Sequence, residues 1–224
     1  MSIQTIAGVA CFYLACSLFA SAQPLTCIKP GTDRWPIKIT LPPGAKTQTM
    51  TIDQALALPR LTGVATNDAK FRDARITGQP QNEDVIVTLS GYLYLVGFES
   101  DDCDFHIQIS PQPRTSTDKP TPEDNCIIVE APSGQYAVSI KDQVEGVRQW
   151  IVDNLLKKTA PTIGSVHVMA HPVYVTVTGA LFYDDAHEYL ANGSTGRGKE
   201  HMDSKTLWEL HPVTSIAFAT PPKP

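Results

Sequence analysis

With 224 residues the chain has room for one domain, or one domain with an added arm, and for a proper core. A formal net charge of −5 argues against nucleic acid as the partner, because phosphate chains are neutralised by an excess of Lys and Arg. The Gly-x-Ser-x-Gly elbow, the phosphate-binding glycine loop, the dinucleotide fingerprint and the His-Glu-x-x-His pair do not occur, which excludes the enzyme classes built on them.

Residues 6–22 carry no charge and end in Ala20-Ser21-Ala22, small residues at the spacing a signal peptidase accepts. The run is shorter than the roughly 20 apolar residues of a membrane helix. We therefore read 1–22 as a signal peptide and expect a secreted or periplasmic protein that begins at Gln23. An uncleaved anchor is the rival, since no Lys or Arg precedes the run; no other segment is apolar enough to span a membrane. Three cysteines remain after cleavage: Cys27, Cys103 and Cys126. In an oxidising compartment two of them should pair. Cys27 is the expected member, with Cys103 or Cys126 as partner, because a loop-rich arm gains most from being tied down. No Cys-x-x-Cys occurs, so a zinc-thiolate site is the weaker reading.

Residues 23–83 are turn-rich and read as an N-terminal arm, punctuated by Pro30-Gly31, Pro42-Pro43-Gly44 and Gly78-Gln79-Pro80. A short helix is predicted at 52–58, with Thr51 and Gln54 as a capping box and Pro59 as the stop. The domain proper is expected over 84–219, with 220–224 a tail. Its first strand is 85–98, where Gly91 and Gly97 suggest bulges. The second, 105–109, alternates so that Phe105, Ile107 and Ile109 oppose His106 and Gln108. The third is 126–130. Ile140, Val144, Val147, Ile151 and Leu155 then recur at helical spacing, with Ser139 and Asp142 as the predicted caps. Residues 172–183 and 206–218 are strands four and five. Between them the glycine-rich stretch 193–198 reads as a flexible loop.

Three strands, a helix, then two strands is the order of an OB-fold, a five-stranded Greek-key barrel. The predicted fold class is mainly β, an OB-fold-like barrel with one helix between strands three and four. Another barrel or a sandwich with one helix is the alternative. Several islands, Asp33-Arg-Trp-Pro-Ile-Lys38, Asp102-Cys-Asp-Phe-His-Ile-Gln-Ile109, Ile128-Val-Glu-Ala-Pro132, Val175–Asp184 and Glu209-Leu-His-Pro-Val213, resemble a family of secreted bacterial proteins of unassigned function. The resemblance implies the fold and the export and supplies no activity. The chain departs from that family's short Asp-x-x-His-Gly-Gln-type turn. Here Asp184-Asp-Ala-His187 runs into Glu188 and a long insert, so a partner of this loop would differ.

The polar candidates are Asp104, His106, Glu130, Asp184, His187, Glu209 and His211. Alternation puts Asp104 with His106, and Glu209 with His211, on common faces. The second pair shares its face with Leu207 and Val213, which suggests the barrel interior, where such groups must be paired. A buried Glu209–His211 hydrogen bond is the plain reading. A divalent metal, with His106, His187 and His211 as candidate ligands, or an acid–base site is the sharper one. Tyr92, Tyr94, Tyr174, Phe182 and Trp208 lie on strands as core or as ligand platforms. OB-folds bind over strands two and three, between the loops after strands one and four. The first of these loops is acidic (Glu99, Asp101, Asp102); the second mixes His187, Arg197, Lys199 and His201 with acids. A small ligand, a glycan, a cation or an envelope protein suits such a rim. Three functions follow: an exported binding module, a metal-dependent or acid–base hydrolase, and a structural envelope protein whose sheet edges pair with a partner.

Overall fold

The computed structural model describes residues 30–64, 69–121 and 124–223. The signal segment, its cleavage position and Cys27 lie outside the described residues. Six strands form one sheet: β1 (Lys46–Thr51), β2 (Val85–Phe98), β3 (Phe105–Ser110), β4 (Ile127–Ala131), β5 (Val166–Tyr183) and β6 (Trp208–Phe218). Its order is β1-β2-β3-β4-β6-β5, and β2 also pairs with β5. Strands β2 to β6 therefore close into a five-stranded barrel of OB-fold type, in which β4 and β6 run parallel. The helix predicted after the third strand is α4 (Lys141–Asn154), which packs on β6 and buries Val144, Val147 and Ile151. It is preceded by a 3-10 turn, Val138–Ile140, and no side chain caps it, so the predicted Ser139 cap is not formed. Three shorter helices, α1 (Trp35–Lys38), α2 (Ile52–Leu56) and α3 (Ala69–Arg72), lie before β2.

The arm does more than wrap. Its β1 adds to β2 in parallel as a sheet edge, and Met50, Ile52, Leu61, Phe71 and Ile76 join the main core. The Thr51–Gln54 capping box forms as predicted. Gly91 marks a close approach: a Cβ there would lie 2.7 Å from Ile109 Cγ2 and 2.8 Å from Ile52 Cγ1. The register shift in β2 falls between Leu93 and Leu95, not at either glycine.

The arm is locked to the barrel by Arg34, which is buried beside Glu83. Arg34 donates twice to Glu83 and also to the carbonyls of Phe71, Ala74 and Tyr183. Glu83 in turn accepts the backbone N–H groups of Ile76 and Tyr183. A bidentate, fully hydrogen-bonded pair of this kind meets the condition under which buried charges are tolerated. Cys103 is disulfide-bonded. Cys126 is a buried free thiol, so it is not the partner expected for Cys27.

Candidate functional site

Strand register builds the site. The inner faces of β3, β4 and β6 place Phe105, Ile107, Ile127, Val129, Trp208 and Leu210 in the core. Their alternate residues face the other way. Across β3 and β4, His106 is directly opposite Glu130. Across β4 and β6, Ile128 pairs with Glu209 and Val129 with Leu210, so the same register sets Glu130 level with His211. Glu209 and His211 thus lie on the outer face, not in the interior as sharing a face with Val213 had implied. The parity changes because β6 shifts register against β5 between the pairs Leu181–Leu210 and Gly179–Val213. Three residues of β6 there face two of β5, which returns Val213 to the core.

This outer face is nevertheless covered, by the start of the arm and by the loop between β5 and β6. The glycine-rich part of that loop packs tightly. Thr195 bonds Ser204 through both backbone and hydroxyl, and Ser194, Thr195 and Arg197 are buried. The Gln108 amide clamps Lys199, accepting its N–H at 2.7 Å and donating to its carbonyl at 3.2 Å. Lys199 also pairs with Glu99, which joins the two loops that flank the face.

Beneath the loop the polar residues form a connected row. His106 Nδ1 is 3.0 Å from Glu130 Oε1. His211 Nδ1 is 3.1 Å from Glu130 Oε2 and 3.2 Å from Glu209 Oε1, and His211 Nε2 is 3.2 Å from Asp104 Oδ2. Arg197 bridges Glu209 and Asp184, and Asp184 Oδ2 is 2.9 Å from His187 Nδ1. Asp104, Glu209 and His211 are fully buried, whereas the side chain of His187 is 48% exposed. The row therefore holds six of the seven candidates closely, with His187 at its open end. Among the three histidines proposed as metal ligands, His106 and His211 meet through Glu130, and His187 sits apart with Asp184.

Charge compensation sets the protonation pattern. Burial works against ionised Glu130, but hydrogen bonds from His106 and His211 prevail and hold its carboxyl well below the usual range. Burial likewise opposes charge on Asp184, and Arg197 and Lys38 outweigh it, so that carboxyl is also held low. Burial raises Asp104 despite the neighbouring His211. Asp102 is pushed up to about 7, first by burial and then by Asp104 and Glu130. Burial disfavours a charged His211, but Asp104, Glu130 and Glu209 raise its imidazole well above its ordinary value. Lys38 is held protonated, against its burial, by Asp184, Glu209 and Glu130. Lys38 was not among the candidates; its four-residue helix carries no periodic signal, and only the charged Asp33–Lys38 island hinted at it.

A cavity of about 450 Å³ opens onto this row. Lys38, His106, His187, Arg197 and Lys199 supply its cationic and imidazole groups. Asp33, Glu99, Asp101, Asp102, Glu130 and Asp184 supply its acids, and Gly31 and Thr32 of the arm close one side. No Phe, Tyr or Trp lines it among the described residues. Tyr92 and Tyr174 meet edge to face, Tyr94 donates to the Glu200 carbonyl, and Trp208 is core. Phe182 lies beside His211 with ring centroids 6.0 Å apart, buried under Arg34 and Lys38. No family model, curated protein or solved structure matches the chain.

Proposed function

We propose that the chain is an exported OB-fold-type binding module whose cavity takes a small, strongly charged ligand, such as a sugar unit bearing both an amino and an acidic group. The observation that carries this reading is the cavity between the acidic 99–102 loop and the long β5–β6 loop, walled by both signs of charge. OB-folds present ligands on this face. The paired charges are positioned in advance, so binding need not order them. Without a stacking ring, a neutral polysaccharide has no platform, and recognition rests on ions and hydrogen bonds. Calorimetric titration with amino sugars, sugar acids and a combined amino-sugar acid tests this. The combined probe should bind tightest, and Lys38→Met should weaken it at least about tenfold, the effect of about 1.4 kcal/mol. Equal binding of neutral and charged sugars, or no effect of Lys38→Met, would reject the proposal.

One observation favours a second reading, acid–base hydrolysis. Asp102 and Glu130 line the same cavity and are driven to opposite ends of the carboxyl range. Such divergence separates a proton donor from an ionised partner. Turnover of aryl glycosides that is lost in Asp102→Asn and falls above pH 7 would support it; absence of turnover across the pH range would set it aside.

A further inference from the structure

We propose that Asp104, Glu130 and His211 form a site for one divalent transition-metal ion, with Glu209 as the outer partner that orients His211. One ligand atom from each of the three lies within 4.8 Å of the other two, and all three residues are buried. The cluster is not self-satisfied. Among the described residues, neither carboxylate oxygen of Asp104 has a hydrogen-bond partner, and neither does His211 Nε2. The 3.2 Å approach of Nε2 to Asp104 Oδ2 is an ion-pair distance that lacks hydrogen-bond alignment. Buried polar atoms in folded proteins are almost always partnered, so two facing groups left without partners point to a ligand between them.

The rest of the row supports the same placement. Glu209 Oε1 lies 3.2 Å from His211 Nδ1, placed to accept an Nδ1–H hydrogen bond, so that on metal binding Nε2, on the Asp104 side, would be the ligating nitrogen. A carboxylate behind a ligating imidazole is the usual outer contact of a metal-bound histidine. Arg197 fixes Glu209 from the far side. One imidazole with two carboxylates and no thiolate suits a zinc-like or manganese-like ion, whereas calcium and magnesium favour all-oxygen sets. Glu130 also lines the cavity, so the ion would be reached from it and would face whatever the cavity holds. The inference does not depend on the identity of that ligand.

The test uses the full mature chain, stripped with a chelator and then loaded separately with Zn²⁺ and Mn²⁺. Metal content after desalting and calorimetric affinity are the readouts. One of the two metals should bind at one ion per chain in the wild type and in His171→Asn, which removes an exposed histidine. Asp104→Asn and His211→Gln should abolish that binding, and Glu209→Gln should weaken it about 10–100-fold, the usual effect of losing an outer partner. Circular dichroism checks that each variant is folded. Should the variants fail to fold, Co²⁺ added to the wild type provides the second measurement. It should shift the His211 ring signals and leave those of exposed His167 and His171 in place. A wild-type chain that holds neither metal would overturn the site. So would a folded Asp104→Asn that binds like wild type, or Co²⁺ shifts confined to exposed histidines; the row would then be a histidinium clasped by carboxylates.

Discussion

Replacing Arg34 with methionine should unfasten the arm from the barrel. The side chain is fully buried and makes five hydrogen bonds, two of them to Glu83. Methionine fills much of the volume but removes the cation paired with Glu83 and takes one donor from each of three carbonyls, of which that of Tyr183 still accepts the Asp185 N–H. Two backbone N–H groups, from Ile76 and Tyr183, still reach Glu83 and soften the loss. Breaking a buried pair by removing one partner costs about 3–5 kcal/mol. For a chain of this size each kcal/mol lowers Tm by about 2–4 °C, so a fall of about 6–20 °C is expected. Thermal and urea unfolding at pH 7 measure it. Arg72→Met provides the contrast, because the Arg72–Asp73 pair is exposed and should leave Tm unchanged. Adding Glu83→Gln to Arg34→Met should recover part of the loss, since the stranded charge disappears while an acceptor oxygen remains. Because Arg34 follows the Gly31–Asp33 wall of the cavity, ligand affinity should fall with it. A Tm change for Arg34→Met no larger than that for Arg72→Met would refute the reasoning.

Three further outcomes are expected. Asp184→Asn should cost about 1–3 kcal/mol at pH 7, because Arg197 and Lys38 lose one acidic partner and keep Glu209. The folded carboxyl titrates below its unfolded value, so its contribution is present above about pH 4 and fades as pH falls toward the depressed folded value. Acid titration of wild type and variant should show the gap closing below pH 4, and a gap independent of pH would count against the ion pair. Thiol titration of the unreduced chain lacking 1–22 should find one sulfhydryl, and only after denaturation, because Cys126 is buried and its thiol pushed up by that burial; three sulfhydryls would remove the proposed Cys27–Cys103 bridge. Protein recovered from its native host should begin at Gln23, and retention of Met1 would disprove cleavage after Ala22.

Periodicity alone identifies the barrel strands, the amphipathic helix and their order. Side-chain alternation and helical spacing are local properties that survive translation into structure. It also pairs Asp104 with His106 and Glu209 with His211, and puts the flanking loops of an OB-fold at 99–102 and 184–205. The height of one strand against its neighbour is a different matter. Register depends on residues far apart in the chain, and it alone sets His106, Glu130 and His211 in one row. A two-residue repeat cannot foresee the shift that turns Glu209 and His211 outward while Val213 turns in. Nor does it bring Lys38 and Arg34, from short helical and turn segments without a repeat, against acids that lie far along the chain. Those positions follow from packing of the arm onto a closed barrel, where buried charge is stable only beside its opposite.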